Sequence, residues 1–416
     1  MTERLDAVVV GAGLAGLVAA RRLHDRGRRV RVFEAADDVG GRVRTDVVDG
    51  FRLDRGFQTV CPAYPAFARE CDLASLDLRP FPRGVGVLTN GRVEHLRPDL
   101  RSLGVLRSRV LSIMDTVLLA SIAARDMVGS ATGIAHRPDR SVLAELTDAG
   151  LSRRVIERVA RPFLSAVLLD ADLTSSANVA HLIWRSFLRG GAAVPAAGMA
   201  AIGRQLAASM PDLEVECGRA VVEVHPEGVR LHDGERVPAR AVIVATDGTT
   251  AARLVPGVPE PTWRGVTTFY FAAAEPPRDD GLILLDADDP GTVRSTVVLS
   301  NVAPEYAPPG RALVAASILG AHEPTRDLIR RVRARLSAIY GTTTARWDMI
   351  RAYPIERALP AMPAPHATRR RVRFQPDLYV CGDHRDTSSI QGALVSGRRT
   401  ANEVLTQSRT AAAVPA

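Results

Sequence analysis

The run VVVGAGLAGLVAARRL (Val8–Leu23) constrains this chain more than any other feature. An apolar strand over Asp6–Val10 leads into glycines 11, 13 and 16, and an apolar-rich helix follows over Leu14–Asp25 with Gly27 as its C-terminal cap. A second strand is expected over Arg29–Glu34. Gly11 permits a tight turn out of the first strand, Gly13 lets a pyrophosphate approach the backbone, and Gly16 lets the helix pack on the strand. Glu34 lies 18 positions after Gly16 and can accept hydrogen bonds from ribose hydroxyls. The backbone of Ala12, Leu14 and Ala15 belongs to the same cradle, where the positive end of the helix dipole favours phosphate. Strand, glycines, helix and acid at these distances describe a βαβ unit that binds a dinucleotide.

At 416 residues the chain is too long for one hydrophobic core, so two or three structural units are expected. Its 54 basic residues are all arginine. Any chemistry that needs a lysine amine is therefore excluded. The arginines are scattered in short clusters and not gathered with aromatic residues into a stripe, so no nucleic-acid partner is expected. Cys61, Cys71, Cys217 and Cys381 form no C-x-x-C pair and no zinc-like spacing, which fits free thiols in a reducing cytoplasm and no metal site. The charged start, Met1–Asp6, does not read as a signal peptide.

Along the chain, a helical middle from about 100 to 187 follows the βαβ start, with Val110, Ile113, Val117 and Ala120, and later Val155, Val159 and Phe163, at helical spacing. Strand patterns resume at Val221–Val224 and Ala241–Ala245. Between 263 and 319 the runs TTFYF, LILL, TVVLS and LVAASIL read as strands, followed by a helix near Arg326–Ile339. LYVCGD (Leu378–Asp383) is a strand entering a glycine-bearing loop, and Gly392–Leu405 reads as the closing helix.

Directly after Glu34, the sequence ADDVGGRVRTD brings Gly40, Gly41 and the Arg42 guanidinium towards the same phosphates, a device that nicotinamide dehydrogenases do not need. Together with the D-x-G block at Asp54–Gly56 and the closing LYVCGDHRDTSSIQGALVSGRRTANEVL, this resembles the flavin-containing amine oxidase superfamily, which includes monoamine and polyamine oxidases, protoporphyrinogen oxidase and phytoene desaturases. The resemblance covers both ends of the chain. It implies FAD, with Gly382 and Asp383 at the ribityl chain or phosphates and the backbone of Ile390 and Gln391 facing the flavin N1 and O2 region. No cysteine or histidine sits in a recognisable flavinylation motif, with Cys381 and His384 the only ones nearby, so non-covalent attachment is expected. VPAAGMAAIGRQLA (Val194–Ala207) resembles the helix that re-enters the flavin domain. Val222, in the strand before AVIVAT, and Ala245 are the implied contacts on the adenine side.

The fold class implied is α/β: a Rossmann-type FAD domain built from 1–75, 195–260 and 345–416, with an inserted α+β substrate domain from 76–194 and 261–344. Many amine oxidases of this superfamily hold a water near flavin N5 with a lysine, and here that feature cannot exist. A second G-x-G-x-x-G and a C-x-x-x-x-C pair are both missing, which argues against the disulfide reductases. The implied activity is hydride transfer from a small, largely apolar substrate to flavin N5, with oxygen, a quinone or another carrier as acceptor. Two other readings stay open: a redox-neutral isomerase of a conjugated substrate, and a non-enzymatic flavin-binding sensor or scaffold. Gln58, Tyr353 and His384 are the candidate catalytic residues. The segment Val110–Ala124 is too short to span a bilayer and has two readings, a packed roof of the pocket or a surface that docks on a membrane. The packed roof, with no binding to anionic liposomes, is the expectation.

Overall fold

The computed structural model describes residues 4–96 and 111–412, so Arg107, Arg109 and Val110 lie outside the described residues. Its first sheet has six strands in the order Arg373–Gln375, Leu378–Val380, Val242–Val244, Ala7–Val10, Val30–Phe33 and Glu214–Glu216. Every pairing is parallel except the outermost, 373–375 against 378–380. The central strands read as unbroken apolar runs because both faces are covered. On one face the helices Leu14–His24 and Ile390–Ala412 share a core with Val9 and Ile243. On the other, Val8, Val242 and Val244 pack against the three-stranded sheet formed by residues 221–238.

The second sheet has seven strands and is mainly antiparallel. Its longest members are Trp263–Ala273, Ala312–Leu319 and Asp348–Pro360. The helix Arg326–Tyr340 buries Val332, Leu336 and Ile339 against Phe269, Phe271 and Val314 of this sheet. The strand Asp348–Pro360, inside the segment 345–416 assigned above to the FAD unit, hydrogen-bonds to Trp263–Ala273, and the chain rejoins the six-stranded sheet only at Arg373.

The helical middle forms its own apolar cluster around Val142, Leu146, Val155 and Val179. Ile113–Val128 is its longest helix and starts with a capping box: Ser112 Oγ accepts from the Asp115 N–H while the Asp115 carboxylate accepts from Ser112. Residues 156–160 widen into a π-helical turn, a feature that recurs at functional sites. Among the described residues no helix is long and apolar enough to cross a membrane.

Candidate functional site

Gly11 leaves the first strand with φ +103°, and a Cβ there would lie 3.0 Å from the Ala245 carbonyl oxygen. A side chain is thus barred on two counts. Gly13 then opens the helix Leu14–His24, whose N-terminus has no side-chain cap. Uncapped N–H groups at a helix start attract an anion. A parallel bridge joins Gly13 to Gly40, so the second glycine block lies against the first.

The Glu34 carboxylate accepts from the Ala12 N–H at 2.6 Å and from the Ala36 N–H at 2.9 Å, which fixes it at the end of its strand and on the cavity wall. Arg42 meets Asp383 at 2.6 Å, donates to the Ala358 carbonyl at 2.8 Å and lies over the Trp263 ring. The N-terminal and C-terminal motifs therefore close on each other.

These groups line one cavity of about 1590 Å³. Ordinary small-molecule pockets run to roughly 300–1,000 Å³, so there is room for a cofactor and a substrate together. Gly11, Gly13, Leu14, Ala15, Glu34, Gly40, Gly41, Arg42, Gly56, Gln58, Ala245, Gly382, Asp383 and Ile390 all stand in its wall. Ala12 and Gly16 lie behind it, Ala12 as the fully buried donor to Glu34 and Gly16 where a Cβ would sit 2.0 Å from the Gly11 oxygen.

Four expected residues are placed elsewhere. At the strand Val221–His225 the wall is made by Ala220 and Val221, while Val222 is the extra residue of a bulge between Val221 and Glu223. Gln391, expected to act through its backbone, is absent from the wall that Ile390 lines, and its side-chain amide oxygen accepts from the Ala66 N–H at 2.8 Å. The Tyr353 hydroxyl donates to Asp46 at 2.8 Å, and burial with that carboxylate beside it pushes the phenol up to about 12. Ile355, Ala358 and Leu359 take the cavity face of that strand instead. His384 is buried behind Gly382 with no hydrogen-bond partner on either ring nitrogen among the described residues, and desolvation lowers it to about 4. It is neutral at pH 7.

Gln58 does face the cavity, but its amide nitrogen donates to the carbonyls of Arg42 and Arg55 at 3.0 and 2.9 Å. An amide held this way positions its neighbours and does not act as an acid or base at neutral pH. Asp54 of the D-x-G block is fully buried. It accepts from Thr45, Met199 and Tyr306 at 2.6, 3.0 and 2.9 Å, tying the hairpin 45–54 to the re-entry segment, and burial raises it to about 6.

The sequence points to a helical roof over the pocket but does not single out the residues of this other half of the cavity. Thr246, Asp247, Thr250 and Arg253 line it beside Ala245, and Asp247 caps the helix Gly248–Leu254, a cap signature visible in the letters DGTT. Beyond the glycine cradle the wall is built by the helical middle, with Leu119, Val159, Phe163, Trp184 and Phe187. Among the described lining residues between 111 and 192, Glu145 and His181 are the only titratable side chains. They belong to one network: His181 Nδ1 lies 2.6 Å from Asp126, and Arg125, Arg137 and Arg140 pair with the two carboxylates. Arg140 also pairs with Asp148 at 2.5 Å, so three guanidiniums face three carboxylates and the network has no negative excess. No group of three or more His, Cys, Asp or Glu among the described residues could hold a metal ion, and the four cysteines are free thiols.

Residues 14–405 match the family model for flavin containing amine oxidoreductase. A hydroxysqualene dehydroxylase of Rhodopseudomonas palustris is 27% identical over 96% of this chain and 98% of its own. A putrescine oxidase of Kocuria rosea is 29% identical over 62% of this chain but only 53% of its own. Among solved structures, a putative protoporphyrinogen oxidase from Exiguobacterium superposes with a TM-score of 0.73 at 16% identity, covering 98% of this chain and all of the other.

Proposed function

Because this chain belongs to the flavin-containing amine oxidoreductase family, whose members are redox enzymes, we propose that it binds FAD non-covalently and oxidises or desaturates a largely apolar substrate. The FAD-binding unit would comprise 1–75, 195–260 and 345–416, with the strand Asp348–Pro360 shared with the neighbouring sheet. The substrate unit would comprise 76–194 and 261–344.

The chain's own groups fit that cofactor end to end. Glu34 is fixed where a ribose would lie, and the uncapped start of Leu14–His24 with Gly40, Gly41 and Arg42 offers donors to two phosphates. Asp383 on the cavity wall would hold a ribityl hydroxyl, and the helix starting at Ile390 would offer its positive end to the flavin ring. FAD, when bound, supplies the hydride acceptor at N5. The protein orients the substrate C–H bond and excludes water. The cavity carboxylates beside the glycine cradle are already engaged, Glu34 with the Ala12 and Ala36 N–H groups, Asp383 with Arg42 and Asp247 with the Thr249 and Thr250 N–H groups, and hydride transfer needs no general base. Oxygen or a quinone would then take the electrons.

The observation that carries the substrate class is the helical chamber, whose described wall between 111 and 192 holds only two titratable groups, both within a network that lacks negative excess. A diamine would meet no free carboxylate there, whereas an isoprenoid chain would be covered by Phe163, Trp184 and Phe187. Anaerobic mixing of the FAD-loaded protein with isoprenoid polyenes, hydroxylated triterpenes and putrescine tests this. Bleaching of the flavin by an isoprenoid is expected, and bleaching by putrescine alone would overturn the substrate class. Conversion of a polyene without bleaching would favour the redox-neutral reading.

A further inference from the structure

Of the six large hydrophobic side chains exposed among the described residues, five sit on the helix Ile113–Val128: Ile113, Met114, Val117, Met127 and Val128. Val128 is 89% and Ile113 74% exposed. Contiguous exposed apolar surface on a soluble protein marks an interaction site. The packed roof expected from the sequence is thus only half of what forms. One face of the helix lines the chamber through Leu119, Ala120, Ala123 and Met127, and the other stands in solvent.

The charge pattern around the helix is one-sided. Its two acids, Asp115 and Asp126, are turned inward. Asp115 accepts from Ser112 and from the Ser152 N–H at 2.8 Å, and Asp126 is held by His181 and Arg137. Arg153 and Arg154 stand exposed beside Ser152 at one end. At the other, Arg189 is exposed with a bond to the Met127 carbonyl at 3.0 Å, beside Arg125, which is 45% exposed and pairs with Glu145 at 3.3 Å. An apolar face with cations at both ends and its own acids buried matches the interface of a bilayer that carries anionic headgroups.

We propose that the solvent face of Ile113–Val128 docks on an anionic lipid surface and brings the helical chamber against the bilayer. The docking follows from the helix itself; collection of an apolar substrate from the lipid rests on the function proposed above. Met127 and Ala124 are exposed and also line the chamber, so the same helix borders both solvent and cavity.

The test is sedimentation of the FAD-loaded full chain with vesicles of phosphatidylcholine alone or with phosphatidylglycerol, at low and physiological salt. Binding to the anionic vesicles, weakened at least tenfold by salt or by leaving out phosphatidylglycerol, is expected. The pair Ile113→Glu with Val117→Glu should lose binding at least tenfold while keeping the flavin spectrum and melting temperature, since neither side chain lines the cavity. Ile113→Ser with Val117→Ser removes the apolar area without adding charge and should also weaken binding. Absence of sedimentation at every composition, or binding unchanged in both pairs, overturns the proposal. So does a concentration-dependent dimer that the substitutions abolish with no lipid binding, which would make the face a protein interface. If vesicles bind but isoprenoids fail to bleach the flavin, docking stands and the substrate reading falls.

Discussion

Arg42 and Asp383, 341 positions apart in the chain, meet at 2.6 Å on the wall of the cavity. Asp383 is almost fully buried and Arg42 about a third exposed, so each is the other's main compensation. Removing one partner of such a pair costs more than the net worth of the pair, because the remaining charge stays poorly solvated. Asp383→Ala is expected to lower FAD affinity by about 1.5–3 kcal/mol, roughly ten- to a hundredfold. Fluorescence-quenching titration of the apoprotein with FAD measures it, and an unchanged dissociation constant would place Asp383 away from the cofactor.

Glu34→Ala should weaken FAD more than it weakens the fold. The carboxylate holds the N–H groups of Ala12 and Ala36, and it lies on the cavity wall where two ribose hydroxyls can reach it. Loss of charge-assisted bonds costs about 1.5–3 kcal/mol each. A melting temperature that falls steeply in the apoprotein, with FAD affinity intact, would make Glu34 a purely structural clamp.

Asp54 sets a pH dependence of known sign. Its folded value is raised to about 6 by burial, so between pH 4 and 6 the folded state holds a proton that the unfolded state has released. Stability from this group is therefore lost as pH rises through that window and stays level above it. His384, lowered to about 4, works in the opposite direction, so the comparison must be made against a variant at the one position. The melting temperature of Asp54→Asn relative to the parent should climb from pH 4 to 6.5 and then plateau. A flat difference across that range would contradict the assignment.

Gly16→Ala and Gly27→Ala separate two uses of glycine. At Gly16 a Cβ would lie 2.0 Å from the Gly11 backbone oxygen, and at Gly27 it meets nothing within 4 Å. Gly16→Ala should cost more than about 4 kcal/mol or abolish folding, whereas Gly27→Ala, with only its left-handed φ of +69° to strain it, should cost about 1–2 kcal/mol. Denaturant melts of the two proteins give the comparison.

The glycine cradle is legible because its glycines meet backbone demands that few residue types can meet, while Glu34, Arg42 and Asp383 each bring a charged side chain at a fixed spacing from it. Gly11, Gly13, Glu34, Gly40, Arg42 and Asp383 were named from spacing and resemblance, and the structure gathers them in one wall. Val222 was misplaced by one residue because a bulge moves the wall to Val221, and strand alternation carries no sign of a bulge. Tyr353 and His384 were drawn from chemistry-bearing residue types near motifs, yet one hydroxyl is taken by Asp46 and one imidazole is sealed behind Gly382. The chamber residues Phe163, Trp184 and Phe187 look like any helix core in the sequence, since packing against a cavity and packing against a neighbour require the same side chains.

Heat release of the chromophore tests the central claim most directly. The purified protein should be yellow, and denaturation should put one FAD per chain into the supernatant, identified by mass and chromatography. Release of FMN, flavin that stays with the precipitated chain, or a colourless protein that FAD cannot reconstitute would contradict the account.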